Sequence, residues 1–315
     1  MKMPIYDRAE VGRAAKEYGF VRDTFEKVLR LTEILRFINA DDFLNSHLAL
    51  KGGTAINLTI FNLPRLSVDI DFDYTPNHPL EIMLETRQKI TGQLRVYLES
   101  EGYTISPASR YSHSLDSLYC RYQNLGGNRD IIKIEINYSL RAHVFDPVRR
   151  EILHPVFNNG ASLRTLDPME IFAAKGNALL TRAAARDLYD WCRMSEAKMF
   201  LGNEDLFRKC FIFYASISAE TGNFDFDTAA IDDLTFQKIR RDLFPVLGQK
   251  SHFDLEEKKK TAKETISRLI QPTDSEREYL ARFAAKKYKP DLLFEDAAIL
   301  ERIKDHPMAL WKCRG

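Results

Sequence analysis

Residues Val68 to Tyr74 read Val-Asp-Ile-Asp-Phe-Asp-Tyr, a period-two alternation that constrains this segment to a β-strand with one apolar and one acidic face. In a strand, Asp69, Asp71 and Asp73 project to one side, and Val68, Ile70 and Phe72 to the other. Carboxylates at i and i+2, with no Lys or Arg between them, repel one another. A divalent cation removes that cost. Magnesium takes one or two carboxylates plus substrate phosphates, so it suits Asp69 and Asp71 better than zinc does. Two such ions could activate a hydroxyl nucleophile and neutralise a leaving pyrophosphate. An isolated Asp-x-Asp, however, is more often a solvated strand face.

The segment one helix-length upstream shifts that balance. Leu48-Ala49-Leu50-Lys51-Gly52-Gly53-Thr54-Ala55 has the texture of a short buried strand, a glycine turn and a helix start. Paired glycines allow a tight turn whose amides can approach a phosphate, and a following helix N-terminus adds a favourable dipole. A second alternation, Ile131 to Tyr138, puts Ile132, Ile134 and Ile136 on one face and Lys133, Glu135 and Asn137 on the other. A neighbouring strand would thus offer Glu135 as a third carboxylate, either ligating metal or acting as general base. The plainer alternative is a Lys133–Glu135 surface pair.

Further on, Asp167-Pro168-Met169-Glu170 reads as a helix start, with Asp167 as N-cap, Pro168 at the first position and Glu170 placed for a capping box. Inside that helix Lys175 is flanked by Phe172, Ala173, Ala174 and Ala178, so its stem packs and its ammonium is directed, as suits a triphosphate. If the helix continues, Lys175, Leu179, Arg182 and Arg186 form one stripe, with Asp190 about 60° and Asp187 about 120° away. An ordinary exposed helix face explains the same residues equally well.

These segments organise the chain of 315 residues into an α/β (α+β) fold. Expected boundaries are N-terminal helices over 1–47, a mixed core over 48–160 and a helical domain over 161–315. Turn signals fall at Asn158-Asn159-Gly160 and Thr221-Gly222-Asn223. The formal net charge of +1 excludes a polycation that coats nucleic acid through bulk charge, so any such contact is local. Cys120, Cys192, Cys210 and Cys313 lack the C-x-x-C spacing of zinc or redox sites and read as reduced thiols. With no apolar signal core and no apolar run of ~20 residues, the expectation is a cytoplasmic protein without membrane contact.

Taken in order, Lys51-Gly52-Gly53-Thr54, Arg65-Leu66-Ser67-Val68-Asp69-Ile70-Asp71-Phe72, Lys133-Ile134-Glu135, Glu170 with Lys175, and Arg186-Asp187-Leu188-Tyr189-Asp190 resemble the AbiEii-type (AbiEii/AbiGii, MenT-like) nucleotidyltransferase toxins. The resemblance runs from about Leu48 to Trp191. It implies a DNA polymerase β-like core followed by a helical domain, in the toxin of a type IV toxin–antitoxin pair serving abortive infection and phage defence. It implies nucleotide contacts at Gly52, Gly53, Thr54, Arg65, Ser67, Lys133 and Lys175. Metal, Mg2+ or Mn2+ in its place, is implied at Asp69, Asp71 and Glu135, and a catalytic acid at Asp190 or Asp187. The substrate would be an NTP and the acceptor an RNA, tRNA foremost, so that translation is blocked. An antitoxin would be encoded nearby, with no direct contact required. Two other readings stay open: transfer to a small molecule or protein hydroxyl, and a non-catalytic nucleotide-binding module. After Trp191 no motif matches. There Lys258-Lys259-Lys260, Lys263 and Lys286-Lys287-Tyr288-Lys289 read either as RNA-backbone contacts or as solvated helix faces.

Overall fold

A computed structural model describes residues 6–158, 160–219, 224 and 226–314. Asn159 and Thr221-Gly222-Asn223, marked above as turn signals, lie outside the described residues. The chain divides into two compact units. The first comprises the residues up to Arg141, Pro147–Leu166 and Pro245–Ser251. The second comprises Ala142–Asp146, Asp167–Phe244 and the chain from His252.

The first unit opens with helices α1 (Arg8–Glu17), α2 (Arg22–Ala40) and α3 (Asp42–His47). Asp7 and Asp41 cap α1 and α3 by accepting from first-turn amides, which satisfies donors that a helix start leaves unpaired. Strand β1 (Leu48–Lys51) leads into a helical turn, α4 (Gly52–Ala55), which runs on as a π-turn over Ile56–Ile60. Then come β2 (Asp69–Tyr74), α5 (Leu80–Ser100), β3 (Thr104–Ile105), β4 (Arg110–Tyr111), β5 (Leu115–Gln123), β6 (Arg129–Asn137), β7 (Val148–Glu151) and β8 (Ser162–Thr165). Among the described residues these strands make one mixed sheet in the order β3-β5-β6-β2-β1-β8-β7, with β4 on β5.

Register decides what faces what. β6 lies parallel to β2, with Ile70 opposite Ile134 and Phe72 opposite Ile136, all buried. Burying such side chains stabilises by roughly 1.5–3 kcal/mol each, which pins the register because a one-residue slip would expose the whole set. The same register puts Asp69 opposite Lys133 and Asp71 opposite Glu135 on the other face. Val28, Leu31 and Leu35 of α2 and Ile90 and Leu94 of α5 complete the buried set. A stacked Phe37–Tyr97 pair, 3.6 Å between centroids, joins α2 to α5.

The second unit is helical: α6 (Pro168–Arg182), α7 (Ala185–Glu196), α8 (Glu204–Ser218), α9 (Ala229–Asp232), α10 (Phe236–Asp242), α11 (Leu255–Leu269), α12 (Asp274–Ala284), α13 (Ala297–Ile303) and α14 (Pro307–Cys313). Trp191, Phe207 and Phe211 form its buried centre. Gly176 of α6 admits them: a Cβ there would lie 2.4 Å from the Trp191 ring and 2.6 Å from Phe211. Among the described residues no helix is long and apolar enough to cross a membrane.

Two expectations fail in this unit. The helix from Pro168 does not continue to Asp190, because it stops at Arg182 with Ala183 in the left-handed region at φ 43°. The run Arg182-Ala183-Ala184-Ala185 carries no glycine or proline, so local propensity gave no sign of the break. Glu170 is also no capping box. Asp167 does cap α6 through the Met169 amide, but the Glu170 carboxyl turns inward and is 1% exposed. Its Oε1 accepts from the Val144 amide at 2.7 Å and the Tyr214 hydroxyl at 2.5 Å.

Burial pushes the Glu170 carboxyl up to about 8, against the hydrogen bonds from Tyr214 and Val144. A carboxyl whose folded value lies above its unfolded value near 4.5 binds its proton longer in the native state. Its stabilisation is complete below about 4.5 and drains away as pH climbs to about 8, at up to about 1.4 kcal/mol per pH unit. Thermal melts at pH 5, 7 and 9 should therefore fall more steeply with pH for the wild type than for Glu170→Gln. Parallel pH profiles for the two proteins would refute the assignment.

Candidate active site

In the first unit the glycine turn closes onto the acidic strand. Gly52 sits at φ +69°, and a Cβ there would lie 2.5 Å from Asp71 Oδ2. A Cβ at Gly53 would lie 2.8 Å from Arg65 Nη2 and 2.9 Å from Ser67 Oγ. The turn therefore needs glycine twice, once for its backbone angle and once for space. Thr54 donates its hydroxyl to the Asp69 carbonyl, and Arg65 donates to the Leu66 carbonyl at 2.8 Å. Leu66 N donates to Val246 O at 2.8 Å, and Arg65 pairs with Leu247, so the Pro245–Ser251 segment braces the approach to β2.

Thr54 and Arg65, at 0% and 1% exposed, are embedded beneath the turn. Their placement suits holding the loop. The acidic face is also less uniform than the alternation suggests. Asp69 and Asp71 are partly exposed, while Asp73 is buried at 1% and bonded to Lys51 Nζ at 2.5 Å. The compensating cation missing from β2 is supplied by the adjacent β1. Burial raises the Asp73 carboxyl to about 6, against the Lys51 charge.

Across the sheet, Lys51, Asp71, Glu135 and Ser117 form one row over β1, β2, β6 and β5. Glu135 has both oxygens engaged: Oε1 accepts from Ser117 Oγ at 2.8 Å, and Oε2 pairs with Lys133 Nζ at 2.8 Å. Burial alone would lower the Lys133 ammonium. The hydrogen bond to Glu135, with the charges of Glu135, Tyr119 and Asp69, lifts it above its ordinary value. Among the described residues no three His, Cys, Asp or Glu side chains gather as a metal-ready cluster. Asp69, Asp71 and Glu135 share one face of the sheet, with Asp71 directly opposite Glu135. Ser117 is the residue that the sequence reading missed, because only the β5–β6 pairing reveals its partner.

In the second unit the helix break brings Lys175 against both acids. Its Nζ lies 2.9 Å from Asp187 Oδ1 and 3.3 Å from Asp190 Oδ2, with both carboxylates about 1% exposed. Arg182 Nε adds a bond to Asp187 Oδ2 at 2.8 Å. Burial would raise the Asp187 carboxyl, but Lys175 and Arg182 hold it down at about 2. The expected basic stripe is thus largely neutralised from within, and Arg186 lies within electrostatic reach of Asp242. The distal lysines are similarly engaged, Lys258 with Glu196, Lys259 with Glu256, Lys260 with Glu264 and Lys263 with Asp232. Lys286 Nζ donates to Lys312 O at 2.8 Å.

Residues 34–298 match the model of the AbiEii family, described as the nucleotidyl transferase AbiEii toxin of type IV toxin–antitoxin systems. The chain belongs to this AbiEii toxin family. It is accordingly a nucleotidyltransferase. Among solved structures it is similar to MenT4, a nucleotidyltransferase toxin from Mycobacterium tuberculosis H37Rv. That similarity has a TM-score of 0.64 and 17% identity, over 99% of this chain and 100% of that one. At that identity the likeness bears on the fold. No curated protein matches the chain. The AbiEii match spans both units, so the Gly52–Asp71 turn and the Lys175–Asp187–Asp190 cluster both fall within the family's extent.

Proposed function

We propose that this AbiEii protein transfers a nucleoside monophosphate from an NTP to an RNA acceptor, tRNA foremost, and thereby blocks translation. The observation that carries the reading is the Gly52 turn pressed against the Asp71 carboxylate, where a Cβ would lie 2.5 Å from Oδ2. The turn backbone passes so close to Asp71 that only glycine fits there, which would set a phosphate held by the turn beside the acidic pair.

The donors at Asp69 and Asp71 are all carboxylate oxygens, which fits Mg2+, or Mn2+ in its place, and does not fit a soft metal. When bound, the ion supplies charge neutralisation for the triphosphate and the leaving pyrophosphate. The chain's own residues do the rest. Gly52 and Gly53 let backbone amides approach the phosphates, and Ser67 Oγ stands beside Gly53 as a hydroxyl contact. Thr54 and Arg65 hold that turn to Asp69 and Leu66. Within the second unit, Asp187 and Asp190 fix Lys175, the nucleotide contact proposed there.

The deciding experiment incubates the enzyme with each of the four labelled NTPs and with total RNA, protein and metabolite fractions. Label on RNA, and within it on tRNA, is expected. Label confined to protein or to a small molecule would move the acceptor, and nucleotide binding without any labelled product would favour a non-catalytic module.

A further inference from the structure

Resting on that reading, we infer that a cavity in the second unit, where α7 and the turn after it meet α11, holds one unstacked nucleotide of the RNA acceptor. Its base lies on an apolar floor, and its phosphate meets Lys198 and Arg268. The cavity encloses about 320 Å³, the small end of the range for ligand sites and room for one nucleotide. Its floor is Met194, Met199, Phe200 and Leu269, with Leu201 as an exposed lip. Phe200 is held by stacking on the buried Phe207, with ring centroids 4.6 Å apart and the rings 12° from parallel. A fixed apolar and aromatic floor suits the face of a base, which stacks without regard to sequence.

The rim decides the charge of the occupant. Lys198 and Arg268 both line the cavity, both are exposed, and neither has a carboxylate partner among the described residues. The other cations of α11, Lys258, Lys259, Lys260 and Lys263, are each paired. Glu204, the carboxylate on the wall, accepts from the Gly202 amide of its own loop at 2.7 Å. A purely apolar partner would gain nothing from two unpaired cations, whereas a phosphodiester beside a stacked base uses both features. Lys198 also sits at φ +49°, a left-handed conformation that a lysine adopts against its preference and glycine adopts freely. A lysine there brings its charge at a cost in stability, as residues at binding sites do. Met194 stands one helical turn beyond Asp190 on α7, so the cavity begins one turn from the acids that bond Lys175.

Fluorescence anisotropy on the full-length protein, with a short labelled single-stranded RNA and no NTP, tests this. Lys198→Gly and Arg268→Gln should each weaken RNA binding about fivefold and lower the slope of log affinity against log salt by about one. NTP affinity should be unchanged in both. Lys198→Gly should melt at or above the wild-type temperature, because glycine relieves the left-handed backbone, so its weaker binding would not come from unfolding. An abasic RNA of the same length should bind the wild type about tenfold more weakly, and that penalty should shrink in Met199→Ala, which removes part of the floor. The inference is overturned if Lys198→Gly and Arg268→Gln bind RNA as the wild type does, or if the abasic penalty is the same in Met199→Ala. Transfer of label by the wild type to protein or a small molecule alone would instead remove the RNA reading, a separate failure from that of the cavity.

Discussion

Asp71→Ala is expected to abolish transfer of labelled nucleotide, by about a thousand-fold or more, while the protein melts close to the wild-type temperature in the absence of metal. The two halves of this result come from one cause. Asp71 sits between Asp69 and Asp73 on a single strand face, and Lys51 is already bonded to Asp73. Removing Asp71 takes away a like charge that raises the buried Asp73 carboxyl, which offsets part of the loss of its own contacts. The proposed chemistry loses half of its oxygen donors. Labelled-transfer rates and thermal melts on the same preparation check both halves, and an active Asp71→Ala protein would sink the assignment. Lys175→Ala is a less clean probe. It strips the cation from Asp187 and Asp190, both about 1% exposed, so lost activity there would be mixed with lost stability.

How much of this was visible beforehand depends on the range of the interaction. The strands β2 and β6 were legible because a period-two alternation of Ile and Phe with charged residues has few other solutions. Their adjacency followed only as an expectation, since register across some sixty intervening residues is set by burial of Ile70, Phe72, Ile134 and Ile136 and not by anything local. The glycine turn was legible as a turn, but its reason was not. That Gly52 lies against Asp71, and Gly53 against Arg65 and Ser67, is a fact of tertiary approach. Asp73 looked equivalent to Asp69 and Asp71 because alternation assigns a face and says nothing of depth. Lys51 on β1 and burial at the strand's end separate it. Glu170 fitted the capping-box spacing, yet Tyr214 and the Val144 amide, far away in sequence, drew its carboxyl inward. The helix break at Ala183 had no local signature at all, and it brings Asp187 and Asp190 together on Lys175.

Gly52→Ala should also silence transfer, by about a hundred-fold, through a different route. The substitution retains every carboxylate, so a loss of activity would come from geometry alone. At φ +69° an alanine costs about 1 kcal/mol of backbone strain, worth only a few degrees in melting temperature for a chain of this size. The larger effect is steric, because the new methyl would meet Asp71 Oδ2 at 2.5 Å and Asp71 Cβ and Cγ at 3.2 Å. The carboxylate must swing off the position that the turn now fixes for it. Gly53→Ala is the informative comparison: it would press on Arg65 Nη2 and Ser67 Oγ, and it carries no left-handed backbone angle. A double-mutant cycle separates strain from steric displacement. In an Asp71→Ala background the carboxylate is gone and only the Cβ at 3.2 Å remains beside the new methyl, so Gly52→Ala should there cost less stability than in the wild type. If the stability cost is the same in both backgrounds, the turn and the carboxylate are not coupled, and the contact on which the proposed site rests loses its meaning.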